Sequence, residues 1–238
     1  MASETRMASE TRVAPAARPV RLQLAIDFLE ADKIEGLLAQ VRDLIDIVEV
    51  GTPVIMRDGV GVVRQLHAAF PDLAILADLK IADGGRFESA LAFEAGARLV
   101  TVMATAADAT VSEALVSAGE FGGEIMVDLM GVRDLARRAS QVDRLGVHYV
   151  CVHTAVDVQA GGARVAGKAL AGLRAVSRAL RTAGTAVAGG ITPVTARELA
   201  PLAPSILIVG SGITRAADPR AAAAAMRAAL DGRPEGEQ

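Results

Sequence analysis

Short apolar runs rich in valine, isoleucine and leucine alternate along this chain with longer stretches in which alanine and leucine recur at helical spacing among charged residues. Brief β-branched runs bounded by polar or glycine-containing segments read as buried strands, and the 3.6-residue stretches read as amphipathic helices. The pattern predicts strands over 22–27, 47–50, 74–78, 99–103, 125–129, 149–153, 185–188 and 206–209, and helices over 31–42, 59–69, 86–95, 107–118, 132–145, 167–182, 193–199 and 219–230. Strands that alternate with helices form a parallel sheet, because each strand returns to the same end through a crossover. Eight such units in 238 residues predict an α/β chain folded as a single (β/α)8 TIM barrel over 21–231. A doubly wound open sheet would carry a glycine-rich fingerprint after its first strand, whereas here Asp27 is followed by Phe28-Leu29-Glu30.

Composition narrows the picture. Aromatic residues are 3% of the chain against 52% hydrophobic overall, so the core must be aliphatic. The net charge of −3 and the lack of a lysine or arginine block argue against nucleic acid or an anionic membrane as the main partner. No run is long and apolar enough to span a bilayer. The single cysteine, Cys151, excludes an intrachain disulfide and favours a reducing, cytoplasmic setting. Its place inside an apolar strand suits an inert core thiol. Residues 1–20, which repeat Met-Ala-Ser-Glu-Thr-Arg without a secretory core, read as a disordered leader, and 232–238 as a polar tail.

A barrel builds its active site from the C-terminal ends of its strands, and those ends are where the polar residues gather. Strand one closes with Asp27, strand two leads through Glu49 to Gly51-Thr52, and strand three closes with Asp78 and Lys80, followed by Asp83. Asp128 lies on strand five and His153 ends strand six. Strands seven and eight end in Gly189-Gly190 and Gly210-Ser211-Gly212, while the bottom-face positions lack such an accumulation. Residues two apart on a strand share a face, so Asp78 and Lys80 are expected to enter one site.

The chemistry follows from the residue types. Glu49 and Asp78, on adjacent strands, supply hard oxygen ligands for a Mg2+ ion that keeps its other positions for water and substrate. A metal there would polarise a ketone and its neighbouring hydroxyl, favouring an enediolate. Lys80 adds a fixed positive charge beside the developing oxyanion, and His153 is the natural proton carrier near neutrality. His67 falls on a helix and His148 opens a strand at the bottom face, away from that mouth. The glycine turns let backbone N–H groups approach a phosphate, with Thr192-Pro193 starting the helix beyond the first and Arg215 near the second.

On the signature Asp78-x-Lys80-x-x-Asp83 the chain resembles the orotidine-monophosphate-decarboxylase-like superfamily, and within it the 3-hexulose-6-phosphate synthase family. The accompanying segments are Leu22-Gln23-Leu24-Ala25-Ile26-Asp27, Val48-Glu49-Val50-Gly51-Thr52-Pro53, Val152-His153-Thr154 with Asp157-x-Gln159-Ala160, and the two glycine turns. The resemblance implies a magnesium-dependent, reversible aldol condensation of formaldehyde with ribulose 5-phosphate. It also implies a homodimer in which Asp83 reaches into the partner's site. By the same resemblance Asp27 binds sugar hydroxyls, Gly190 with Gly210, Ser211 and Gly212 takes the phosphate, and Thr52 and Asp128 lie in the substrate site. The related 3-keto-L-gulonate-6-phosphate decarboxylases would have a glutamate on strand five, an arginine shortly after the strand-six histidine and an arginine in the last turn. This chain has Asp128, Ala155-Val156 and Ser211 there. A catalytically silent sugar-phosphate-binding barrel is the non-enzymatic alternative; retention of every charged position argues against it.

Overall fold

Eight strands pair in parallel in sequence order: β1 (Arg21–Ile26), β2 (Ile47–Val50), β3 (Ala74–Ile81), β4 (Leu99–Met103), β5 (Glu124–Asp128), β6 (Tyr149–His153), β7 (Gly184–Ala188) and β8 (Ile206–Val209). β8 returns to β1 with Val209 opposite Leu24, closing the barrel and leaving no sheet edge. This computed structural model describes residues 20–232 except 29, 156 and 158–162. Residues 1–19, 233–238, Val156, Gln159 and the glycines at 161 and 162 therefore lie outside the described residues.

The helices are α1 (Ala31–Val41), α2 (Thr52–Asp58), α3 (Gly61–Ala69), α4 (Gly85–Glu94), α5 (Asp108–Phe121), α6 (Leu135–Asp143), α7 (Ala163–Ala179), α8 (Pro193–Leu199), α9 (Ser211–Thr214) and α10 (Pro219–Leu230). Two of them, α2 and α9, go beyond the sequence expectation. α2 starts at Gly51-Thr52-Pro53, where proline suits the first helical turn, and ends at Gly59, whose φ of 71° is left-handed. That break moves the next helix start from Gly59 to Gly61. α6 is shorter than the expected 132–145, because the Asp134 side chain caps it by accepting from the Arg137 N–H at 3.0 Å. Among the described residues no helix is long and apolar enough to cross a membrane.

Period-two alternation in the strands produces two apolar layers. Ile47, Leu76, Leu99, Met126, Cys151, Ala186 and Ile206 face inward and fill the barrel, while Leu22, Leu24, Val48, Val100, Ile125 and Leu207 pack outward against the helices. The bottom of the barrel is more charged than the sequence suggested, but in paired form. Arg227 of α10 reaches Asp46 and the Leu44 carbonyl, Arg220 meets Asp43, and the Arg21 guanidinium lies 5.0 Å from the Tyr149 ring centroid.

Asp143, at the end of α6, ties that helix to the turn entering β7. Its carboxylate accepts from the N–H groups of Arg181, Thr182 and Ala183 at 2.9, 3.1 and 2.8 Å and from the Thr182 hydroxyl at 2.8 Å. Burial pushes this carboxyl up, but the donors outweigh it and hold it below the ordinary range. Asp143→Ala removes the acceptor of four donors in a turn that water reaches and is expected to cost about 1–2 kcal/mol of unfolding free energy. A depressed folded-state pKa stabilises above the unfolded value, so the deficit should be full above about pH 4 and close as pH falls through the folded value. Urea unfolding of both proteins across that range measures it, and a deficit independent of pH would show that the carboxylate charge is not what the turn uses.

Candidate active site

The centre of the site is an irregularity in β3. Ala77 pairs with Val100 and Ile81 with Val102, so four steps on β3 match two on β4. The intervening residues bulge, and Lys80 takes a φ of 48°, which is uncommon for a residue with a side chain. Thr101, opposite the bulge, replaces the lost ladder bonds: its Oγ1 accepts from the Lys80 N–H at 2.9 Å and donates to Asp78 Oδ1 at 2.6 Å. Asp78 and Lys80 do enter one site and are joined by an ion pair. The bulge directs them there, rather than the simple alternation expected from their spacing.

Around this pair three carboxylates crowd one ammonium. Glu49 on β2 is buried and accepts from Gln23 Nε2 at 2.5 Å. Burial and then the Asp78 charge push its carboxyl well above the ordinary range. Asp27, just past β1, is raised by the same two effects in the same order. Burial also acts to raise Asp78, but the Lys80 charge and hydrogen bonds from Lys80, Thr101 and Thr52 bring it below its usual value. Lys80 in turn is held above its ordinary value by Asp78, against the effect of burial. Asp27 and Glu49, both raised by burial and by the Asp78 charge, are the carboxyls that a divalent cation beside them would draw back to the ionised form. Among the described residues no group of three or more His, Cys, Asp or Glu converges as a ready ligand cage. Two carboxylates nevertheless suit magnesium, which retains water and substrate oxygens in its remaining positions. Glu49 and Asp78 are the residues that fit it.

Across the mouth, His153 Nδ1 lies 2.6 Å from Asp128 Oδ2, and Asp128 Oδ1 accepts from the Met130 N–H at 2.8 Å. A carboxylate at Nδ1 selects the tautomer with its proton there and leaves Nε2 as the base. Gly189, at φ 99°, packs against the loop after β6: a Cβ there would lie 2.3 Å from the Thr154 carbonyl oxygen. Gly189 also lines the cavity, together with Gly190 and Gly210-Ser211-Gly212. Asp27 fills the space beside Gly51, where a Cβ would lie 2.2 Å from its Oδ1. Beyond the first turn, Thr192 and Thr195 form a reciprocal capping box at the start of α8.

Glu49, Lys80, Asp128, His153, Gly190, Gly210, Ser211 and Gly212 thus line one cavity of about 80 Å³ at the mouth of the barrel. Asp78 and Asp27 do not line it; Asp78 lies behind Lys80 and Thr101, which do, and is bonded to both. The Thr52 hydroxyl is directed at Asp78, with Oδ2 at 2.8 Å and the backbone carbonyl at 2.7 Å, and does not line the cavity. Asp83 is exposed beyond the bulge and lines a different, shallow depression with Arg86 and Phe87. Arg215 lies outside the cavity lining, with its guanidinium 5.3 Å from the Phe28 ring centroid. Cys151 forms part of the floor, and burial pushes its thiol well up, which suits an inert role. Sequence reasoning missed Gln23 and Thr101; the available signal was a polar residue at an inward-facing position of an otherwise apolar strand.

The sequence and the barrel have counterparts among known proteins. A 3-hexulose-6-phosphate synthase of Bacillus subtilis is 40% identical over 208 residues, covering 87% of this chain and 97% of the relative. The crystal structure of 3-hexulose-6-phosphate synthase from Salmonella typhimurium superposes with a TM-score of 0.84 at 38% identity, covering 90% of this chain and all of that one. A 3-keto-L-gulonate-6-phosphate decarboxylase from Vibrio cholerae is more distant, with a TM-score of 0.77 at 26% identity over 90% of this chain and 99% of its own. With residues 20–226 matching the family model, the chain belongs to the orotidine 5'-phosphate decarboxylase / HUMPS family.

Proposed function

We propose that this protein is a 3-hexulose-6-phosphate synthase, a lyase that reversibly condenses formaldehyde with D-ribulose 5-phosphate through an enediolate. The observation that carries the reading is the convergence of Glu49, Lys80 and the His153–Asp128 pair with two glycine turns in one cavity. It is supported by relatives of that name at 38–40% identity, against 26% for the decarboxylase.

Bound by Glu49 and Asp78, magnesium would supply Lewis-acid polarisation of the ketone and its neighbouring hydroxyl. His153 Nε2 takes the proton from the carbon beside the ketone, and Asp128 keeps the ring in the tautomer that accepts it. The Lys80 ammonium offsets charge developing on the adjacent oxygen. The resulting nucleophilic carbon adds to formaldehyde: the new carbon–carbon bond forms as the C=O π bond opens, and the alkoxide takes up a proton, with the one held on His153 Nε2 balancing the cycle. Asp27 holds sugar hydroxyls, and backbone N–H groups at Gly190 and Gly210-Ser211-Gly212 hold the phosphate. Thr52 serves the site by fixing Asp78.

A second copy of the chain is proposed to cover the face next to Asp83. There Phe87 is 72% exposed and is followed at helical spacing by Leu91 on α4, with Ala109, Thr110 and Glu113 of α5 lining the same depression as Phe87. An aromatic side chain this open, beside a charged residue that serves no group of its own cavity, suits a protein interface.

The deciding assay follows formaldehyde loss with ribulose 5-phosphate and Mg2+, beside carbon dioxide release from 3-keto-L-gulonate 6-phosphate. Fast formaldehyde loss that EDTA silences and Mg2+ restores is expected. Decarboxylation alone would assign the decarboxylase reaction, binding of ribulose 5-phosphate without turnover of either substrate would assign a silent barrel, and indifference to EDTA would remove the metal.

A further inference from the structure

Gln23 is a polar side chain inside an aliphatic layer. It lies on β1 opposite Ile47 of β2 and Ile208 of β8, is completely buried, and lines the floor of the cavity with Met126 and Cys151. Its amide makes one hydrogen bond, from Nε2 to Glu49 Oε2 at 2.5 Å, and its Oε1 has no partner. A half-satisfied amide is a poor way to fill such a layer, since an aliphatic side chain of the same length would pack there without burying an unpaired acceptor. Packing therefore does not account for it, whereas its neighbour does.

We infer that Gln23 is the positioning residue for Glu49, fixing that carboxylate in the orientation that receives a divalent cation and presenting Oε1 to an O–H donor that enters the cavity. This rests on the magnesium reading above. A carboxylate on a flexible side chain is a good ligand only when its rotamer is held, and outer partners of metal ligands commonly do this. Asp78 is held in a comparable way by Thr101 and Thr52, so each carboxylate assigned to the metal has a buried neutral donor behind it.

The test is Gln23→Met, which keeps the length and apolar volume but loses donor and acceptor, with Gln23→Leu as the second variant should the first fail to accumulate folded protein. Metal affinity is read without substrate, by Mn2+ titration followed by electron paramagnetic resonance. The variant is expected to melt at or above the wild-type temperature yet bind Mn2+ about 10- to 100-fold more weakly. Turnover at saturating Mg2+ should return to within about threefold of wild type, as a positioning defect allows and a damaged fold does not. Ser117→Ala removes the other buried side-chain oxygen without a partner among the described residues, a hydroxyl on α5 away from the cavity, and should leave Mn2+ affinity unchanged. Equal Mn2+ affinity in wild type and Gln23→Met, or turnover that excess metal does not restore, would overturn the inference. A wild-type protein that binds no Mn2+ or Mg2+ would overturn the metal reading itself.

Discussion

Replacing Lys80 by alanine is expected to reduce formaldehyde consumption at least about a thousandfold while the barrel still folds. Lys80 is the one ammonium among Asp27, Glu49 and Asp78, and its removal takes away the fixed charge beside the developing oxyanion. Among the described residues no other lysine or arginine lines the cavity to replace it. Folding should survive because Asp78 keeps its bonds from Thr101 and Thr52, and alanine has no more difficulty with the backbone at φ 48° than lysine has. Stability should fall at neutral pH, since Asp78 loses the charge that holds its carboxyl below the ordinary range. That loss should shrink in acid, where Asp78 is protonated in both proteins. Initial rates with ribulose 5-phosphate, read beside thermal melts at several pH values, separate the two effects. A folded Lys80→Ala protein retaining more than about a tenth of the wild-type rate would remove Lys80 from the chemistry.

The barrel was legible because its strands are β-branched runs short enough to be unambiguous, and their polar closing residues fall at the end where barrels place their sites. The segments that were not legible share a physical cause. α2 and α9, with 7 and 4 residues, are too short to show a helical period, and both start on glycine-containing turns that read equally well as loop. The bulge at Asp78–Lys80 left no trace, because a lysine with positive φ carries no residue-type signal of the kind glycine does. Gln23 and Thr101 were hidden for a further reason. A single polar residue inside an apolar run looks like noise until the register shows that it faces inward, beneath a carboxylate. Thr52 was placed in the right neighbourhood by its position after β2, but only the hydrogen bonds show that its hydroxyl is spent on Asp78.

The direction of Asp83 is what gives the second large effect. Three residues after Lys80 the chain has passed the bulge, and Gly84, at φ 60°, turns it into α4. Gly85 then seats α4 against α5 so closely that a Cβ would lie 2.0 Å from the Thr110 carbonyl oxygen. This packing holds the exposed Asp83 away from its own cavity, which is why the proposed dimer assigns it to the partner's site. If that dimer forms, Lys80→Ala and Asp83→Ala should each be inactive for different reasons, one lacking the ammonium and the other the carboxylate supplied across the interface. A heterodimer of the two concentrates both defects in one site and leaves the other site intact. Random exchange from an equal mixture puts half the dimers in that form, so about a quarter of the wild-type activity should appear from two inactive stocks. Subunit exchange is followed independently with a tag on one variant and native mass measurement. Recovery in proportion to the heterodimer fraction assigns Asp83 to the partner's site, whereas complete exchange without recovery would mean that both residues serve the same subunit or that Asp83 serves only the turn into α4.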